Sequence, residues 1–293
     1  MDAATTQPTW QCVMILWGQK YGPGIVNHTV EAVLRHAATP PRFVLITDRD
    51  RPGLHPAVTT VPFDPWFLKP ELMKDGCQAK LVMFEAGFVP DDLPAIYLDL
   101  DTAVFGDVTP IFAMMDSPKT LMMLQSVVLP FGPLARLIWR ITDKRKYARG
   151  NSSVVVYHPR ECTYIATHFR ELWEAHGGLG IRPMIADERF MSWAAQAHVK
   201  RLPKSFAVKF STEYMFPLKA WVRLKARLPW VRRRRANLVA VTMPGPLIKP
   251  ERLLAYREGD EVKDNKDRWL IWSRATLGDM GERLQSYYAS LSD

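Results

Sequence analysis

The chain has 293 residues but only three cysteines, Cys12, Cys77 and Cys162, and no CxxC pair. Few, widely spaced thiols in odd number argue against a disulfide framework and a structural zinc site, so a reducing compartment is expected. No apolar run reaches the length of a membrane span, because proline or charge interrupts the longest candidates. Met1 to Thr9 is polar and lacks the basic start of a secretory signal ahead of the apolar Cys12–Trp17. No histidine follows His198, no internal repeat is visible, and no low-complexity linker divides the chain. These absences leave a soluble or membrane-peripheral protein, with one domain expected rather than two.

The composition that remains, 47% hydrophobic and 24% charged, is ordinary for a globular chain with a sizeable core. The net charge of +9 favours anionic partners: nucleic acid, acidic lipid or phosphorylated ligands. Ten tryptophans suit cores, sugar platforms and membrane interfaces alike, and the count does not choose among them.

Hydrophobic patterning predicts an alternation of strands and helices. Cys12–Trp17 reads as a buried strand, Gly18–Gly24 as a loop, Ile25–His36 as a helix, Phe43–Thr47 and Val58–Val61 as strands. This β–α–β–β opening points to a doubly wound sheet, which binds ligands beyond the carboxyl ends of its strands. Trp17–Tyr21 and Asp48 fall at such ends. A helix is expected over Ala79–Phe88, strands over Leu121–Leu124, Asn151–Tyr157 and Leu238–Thr242, and helices over Glu161–Ala175 and Ile185–His198. Pro130–Arg149 reads as a basic and apolar insertion, and Asp267–Leu291 as a helix or helix pair broken by Gly278 and Gly281.

One stretch stands apart: Ala95-Ile-Tyr-Leu-Asp-Leu-Asp-Thr-Ala-Val-Phe-Gly-Asp107. An apolar run drives into Asp99 and Asp101 and resumes at once. Charge inside a protein needs a counter-charge. Two carboxylates two residues apart on an extended chain share a face, so both can reach one hard cation, whose usual task is to hold phosphate oxygens. The expectation is a nucleotide-sugar site.

The same stretch, following Ala-Lys-Leu-Val-Met-Phe, resembles the DxD region of the glycogenin-like (family 8) GT-A glycosyltransferases, in particular the bacterial members linked to surface polysaccharide. Further motifs of that family have counterparts in the same order: Trp17-Gly-Gln-Lys-Tyr21, Ile46-Thr-Asp-Arg49, Lys80, Asn151-Ser-Ser153, Asp187-Glu188 and Gly245-Pro-Leu-Ile-Lys-Pro250. The match spans about residues 12–250. The fold class implied is α/β: a GT-A, Rossmann-like mixed sheet with helices on both faces. Residues 10–250 would form the glycosyltransferase domain and 251–293 a C-terminal helical extension packed on it.

The resemblance also implies roles. Asp99 and Asp101 would hold Mn²⁺ or Mg²⁺ across the diphosphate of a nucleotide-sugar. Trp17, Lys20, Tyr21 and Asp48 would line the nucleotide pocket, and Lys80 would contact the donor. Asn151 and Asp187 would bind the sugar. Glu188, where retaining members often have Gln, would stand beside the reacting carbon, making Asp187 and Glu188 the catalytic pair. Lys249 would neutralise the leaving diphosphate. One departure is visible. The family's third metal ligand, a histidine just before the closing glycine, is replaced here by Thr242-Met-Pro244, whose side chains are poor ligands for a hard cation.

A second feature is Trp221–Arg235, six cations from Lys225 to Arg235 interleaved with Trp221, Leu224, Leu228, Trp230 and Val231, and no acid up to Asn237. This pattern suits an anionic membrane surface rather than nucleic acid, because aromatics and cations alternate and Pro130–Arg149 repeats the chemistry. The expected protein is therefore cytoplasmic and peripheral on the inner membrane. It would pass a hexose from a UDP-type donor to a cell-surface glycan or lipid-linked acceptor, with retention. Two rivals share the residues. Asp99-Leu-Asp-Thr102 also spells the nucleophile motif of haloacid-dehalogenase-type phosphatases, and the missing histidine would suit a catalytically degenerate GT-A subunit.

Overall fold

The computed structural model describes residues 7–74, 76–125 and 129–291. Most of the polar start, residues 1–6, lies outside them. The backbone of the molecule is a seven-stranded mixed sheet in the order β3-β2-β1-β4-β7-β6-β8. Its strands are β1 (Gln11–Leu16), β2 (Arg42–Thr47), β3 (Val58–Pro62), β4 (Ala95–Leu98), β6 (Leu121–Gln125), β7 (Gly150–Tyr157) and β8 (Val199–Arg201). A short sheet, β5-β10-β9, stands beside it, built from β5 (Thr102–Val104), β9 (Ala207–Lys209) and β10 (Ala240–Thr242).

The central strands are buried on both faces, which explains their continuous apolar runs. In β1, Cys12, Met14 and Leu16 enter one core with the helix Pro23–His36, the small sheet and the C-terminal residues. Val13 and Ile15 enter a second core with the helices Tyr164–His176 and Asp187–Ala194. The period of two thus sends alternate side chains of one strand into two hydrophobic layers. A helix opening on Gly22-Pro23 is favoured because proline at the first turn gives up no intrahelical hydrogen bond.

Strands β1, β2 and β4 are parallel, and β7 runs antiparallel to β4 with Leu98 opposite Val154. The carboxyl ends of the first three and the amino end of β7 therefore share one edge. Here the structure departs from the extended Asp-Leu-Asp expected from sequence. The amide of Thr102 donates to the Asp99 carbonyl at 2.9 Å, closing a turn between β4 and β5. That turn carries the chain from the large sheet to the small one, where Thr102 pairs with Thr242. The paired carboxylates thus sit at the junction of two sheets.

Two further expectations change. Ala79–Phe88 does not form an α-helix. It is a buried 3-10 helix over Gln78–Phe84, preceded by Cys77 in the left-handed region at φ 51°. Its short length holds every side chain against the core, which an amphipathic α-helix of that sequence would not. The C-terminal part contains a hairpin, β11 (Asp260–Lys263) with β12 (Trp269–Trp272), before the helices Arg274–Leu277 and Met280–Ala289. Leu270, Trp272, Leu284 and Tyr288 belong to the first core, so this segment shares the central hydrophobic layer.

The basic segment forms two helices, Lys219–Arg227 and Pro229–Ala236, parted at Pro229. Half of its six cations from Lys225 to Arg235 turn inward. Lys225, Arg234 and Arg235 converge on the buried Glu213, with Arg235 Nε donating at 2.8 Å. Arg227, Arg232 and Arg233 have no acidic partner among the described residues. Leu218, Leu224 and Trp230 stay 64, 52 and 65% exposed. On the helix Pro133–Ile141, Leu134, Leu137 and Ile141 are exposed at helical spacing. No helix among the described residues is long and apolar enough to cross a membrane.

Candidate active site

The shared strand edge gathers the sequence-predicted residues. Asp99 follows β4, and its Oδ2 accepts from Lys80 Nζ at 2.7 Å while Oδ1 accepts from Tyr97 OH at 3.2 Å. Asp101 accepts at Oδ1 from Thr242 Oγ1 at 3.3 Å and at Oδ2 from Lys249 Nζ at 3.4 Å. Its carbonyl also holds the amide of Met243 at 2.8 Å, tying the turn to the end of β10. The chain reaches Lys249 through Gly245, whose φ of 116° favours glycine.

Each carboxylate of the pair thus has its own lysine. Burial works against the Lys80 charge, but Asp99, with Tyr97 and Asp187 behind it, outweighs burial and raises the pKa well above lysine's usual value. Lys249 follows the same pattern: burial works to lower its pKa, but Asp101 and Tyr21 outweigh it and raise the pKa. Asp101 itself is pushed up, first by burial and then by the neighbouring Asp99 charge. Two like charges in a half-buried pocket call for a cation.

The nucleotide-side residues come from the ends of β1 and β2. Trp17 is half-buried and meets Phe63 edge-on at 6.2 Å. Tyr21 OH accepts from Lys249 Nζ at 3.2 Å, and Lys20 lies 5.0 Å over the Tyr21 ring. Asp48 is tied up: Arg49 and Arg51 pair with it and the Gly18 amide donates at 3.1 Å. Burial opposes its charge, but these donors hold the carboxyl down at about 2. Its visible task is to brace the Trp17–Tyr21 loop.

The opposite wall is the start of β7 facing the helix Asp187–Ala194. Asn151 Nδ2 donates to Glu188 Oε2 at 2.9 Å, and Ser152 Oγ donates to Asp187 Oδ2 at 2.6 Å. Asp187 is buried, and that burial lifts its carboxyl to about 6 although Lys80 pulls the other way. Lys80 therefore links the Asp99 side to the Asp187 side. Sequence reasoning missed Tyr97, hidden in an apolar strand run, and Ser152, which the Asn-Ser-Ser run could have signalled.

Glu188 and Asn151 also line a cleft of about 550 Å³ that extends over β9 to Phe216 and Trp221. Lys209, at the end of β9, borders it. Of its lining, the sequence motifs had marked Asn151, Glu188 and residues of the Trp221–Arg235 segment, but not Gln125, Lys209 or Ser211.

The donor set for a divalent cation is Asp99, Asp101 and the Thr242 hydroxyl. Among the described residues no group of three or more His, Cys, Asp or Glu is gathered to hold a metal. Two carboxylates on one turn, with a hydroxyl beside them, still fit Mg²⁺ or Mn²⁺, which take their remaining ligands from diphosphate oxygens and water.

The architecture is the GT-A glycosyltransferase fold. The galactosyltransferase LgtC, solved with donor and acceptor sugar analogues, superposes at a TM-score of 0.58 with 14% identity, covering 97% of this chain and 96% of LgtC. The bifunctional glycosyltransferase WbbM matches at 0.55 with 11% identity, over 97% of this chain and 50% of its own. GlyE of Streptococcus pneumoniae TIGR4 matches at 0.55 with 14% identity, over 97% and 61%. No protein-family model and no curated protein matches the sequence. The fold removes the ground for the phosphatase reading, since the Asp99–Asp101 turn follows the fourth strand of the chain and joins two sheets.

Proposed function

We propose that this protein is a metal-dependent glycosyltransferase that moves a hexose from a UDP-type nucleotide-sugar to a cell-surface glycan or lipid-linked acceptor, with retention. The observation that carries the reading is the convergence of Asp99, Asp101, Lys80, Lys249, Asp187 and Glu188 on one strand edge of a GT-A fold. Residues 10–250 are taken as the catalytic domain and 251–293 as its packed extension.

Asp99 and Asp101 would hold Mn²⁺ or Mg²⁺, with Thr242 as a neutral neighbour, and the cation would neutralise charge on the diphosphate. Trp17, Lys20 and Tyr21 flank the nucleotide on the loop that Asp48 braces. Lys249, held against Tyr21 and Asp101, swings its ammonium to the leaving diphosphate as negative charge grows there. Asp187 and Asn151 accept and donate hydrogen bonds to the hexose hydroxyls, and Lys80 keeps Asp187 charged. The C1–O bond to the diphosphate breaks, a C1–O bond to the acceptor hydroxyl forms on the same face, and the acceptor proton leaves with the diphosphate. Glu188 lies beside that carbon and supports its developing positive charge.

The exposed Leu218, Trp221, Leu224 and Trp230, with Arg227, Arg232 and Arg233 beside them, support docking on the anionic cytoplasmic membrane face. Leu134, Leu137 and Ile141 add a second apolar ridge.

Calorimetry with UDP in the presence and absence of Mn²⁺ tests the donor site. Metal-dependent binding that Asp101→Asn abolishes is expected, and no nucleotide binding under any condition refutes the reading. Binding without transfer to any acceptor would favour a degenerate subunit. Flotation with anionic liposomes tests the surface: a Trp221→Ser/Trp230→Ser variant should float several-fold less, and unchanged flotation ends the membrane proposal.

A further inference from the structure

The cleft beside Glu188 holds polar groups that the protein itself leaves unanswered. Ser211 is 2% exposed, yet its Oγ has no hydrogen-bond partner, and neither does Gln125 Oε1 nor Arg234 Nε; all three residues line the cleft. Buried polar atoms are almost always paired, so three orphans on one wall mark a place where a ligand supplies the partners. Three cations on the same lining, Lys209, Arg201 and Lys204, have no ion pair or side-chain hydrogen bond among the described residues. Lys209 is the telling one. It is half-buried on β9, where burial opposes its charge and Glu188 and Asp101 are the acids near enough to support it. The other cations of the lining are engaged: Lys225 and Arg234 with Glu213, Arg268 with Asp264.

The lining is also mixed in character. Asn151 and Glu188 belong to the candidate active site, and Phe216 and Trp221, both exposed, add aromatic surface. The lining thus combines unpaired polar atoms, unpaired cations and aromatic side chains, the three chemistries that a sugar, an anion and an apolar chain would call on.

We propose that this cleft receives the acceptor and that the acceptor is anionic, a glycosyl phosphate whose phosphate rests among Lys209, Arg201 and Lys204. This rests on the glycosyltransferase reading above and specifies its second substrate. The unpaired cations then serve as a receptor: a neutral sugar would leave the half-buried Lys209 unanswered, so the site discriminates against it.

The test titrates the full chain, saturated with UDP and Mn²⁺, with three probes: a hexose 1-phosphate, the methyl glycoside of the same hexose, and inorganic phosphate. The sugar phosphate should bind about ten-fold or more tightly than the methyl glycoside, as expected for a charge-assisted contact. Lys209→Gln should erase most of that discrimination. The surface variant Arg201→Gln/Lys204→Gln, which disturbs no packing, should reduce it and flatten its salt dependence. Equal affinity for ester and glycoside, or discrimination that survives both variants, overturns the proposal. Inorganic phosphate binding as tightly as the ester reveals an anion site without a sugar subsite and also overturns it. UDP binding in the same samples reports on the donor side, so its loss indicts the function proposed above and not the acceptor chemistry.

Discussion

The two sides of the candidate active site treat charge in opposite ways. On the donor side the carboxylates have their counter-ions: Asp99 with Lys80, Asp101 with Lys249, Asp48 with Arg49 and Arg51. On the acceptor side Lys209, Arg201 and Lys204 have none among the described residues, and Ser211 Oγ and Gln125 Oε1 lack partners. The donor side is closed on itself before any ligand arrives. Its lysines hold the carboxylates apart from each other's repulsion and can transfer to phosphate when a cation takes their place. The acceptor side is a cleft whose lining includes polar atoms without partners. A preassembled charge cluster suits a diphosphate of fixed shape, whereas an unanswered cation row suits a partner that brings its own anion.

The sharpest way to break this comparison is to remove one lysine from each side. Lys80→Met leaves Asp99 and the buried Asp187 without their shared cation, with side-chain exposures of 9% for Lys80 and 26% for Asp99 setting the local dielectric. Removing one member of such a buried pair costs about 3–5 kcal/mol of stability. Lys209→Met removes a charge that burial opposes more strongly than Glu188 and Asp101 support it, so stability should hold or rise. Urea unfolding of the two variants against wild type reads the difference directly. If Lys80→Met loses no more than Lys209→Met, the donor side is not a mutually stabilised charge cluster.

The same division governs what was legible in the sequence. The donor side lies on consecutive motifs: an apolar strand ending in Asp99-Leu-Asp101, a lysine before it, a strand end at Trp17. Burying charge at a strand end leaves a local trace in the residue order. The sheet itself was legible from strand-length apolar runs, because parallel strands covered on both faces need them. Its two irregularities were not. The Asp99–Thr102 turn depends on β5 pairing with β10, some 140 residues on, and the 3-10 form of Gln78–Phe84 depends on burial from all sides. The acceptor cleft left a trace only at its rim, in Asn151, Glu188 and Trp221. Gln125 lies more than 80 residues before Lys209 and Ser211, and each reads as an ordinary surface residue; only the packing of β6 beside β9 and the following helix brings them into one lining. The basic helices misled in part, since Glu213, outside the run, claims half of its cations.

Asp187 stands on the seam between the two sides and offers a smaller, pH-resolved test. Burial lifts its carboxyl from 3.8 to about 6, while Lys80 and the Ser152 hydroxyl hold it below where burial alone would put it. A raised acid is bound to its proton more tightly in the folded state than in the unfolded. Below about pH 4 both states are protonated and the residue contributes no penalty. As pH rises from about 4 to about 6 the folded state alone retains the proton, so stability falls, and above about 6 the full penalty persists. Two units correspond to about 3 kcal/mol. Other carboxylates titrate in the same range, so the quantity to measure is the gap between wild type and Asp187→Asn, in urea, from pH 4 to pH 7.5. The asparagine variant should be the more stable at neutral pH, with the gap closing towards pH 4; a gap that stays flat means Asp187 does not carry a burial penalty. In the Lys80→Met background the gap should go on widening above pH 6, because the cation that keeps Asp187 ionised is gone. A donor whose hydroxyls hydrogen-bond to the ionised Asp187 would narrow it again, since the sugar then supplies the solvation that burial removed.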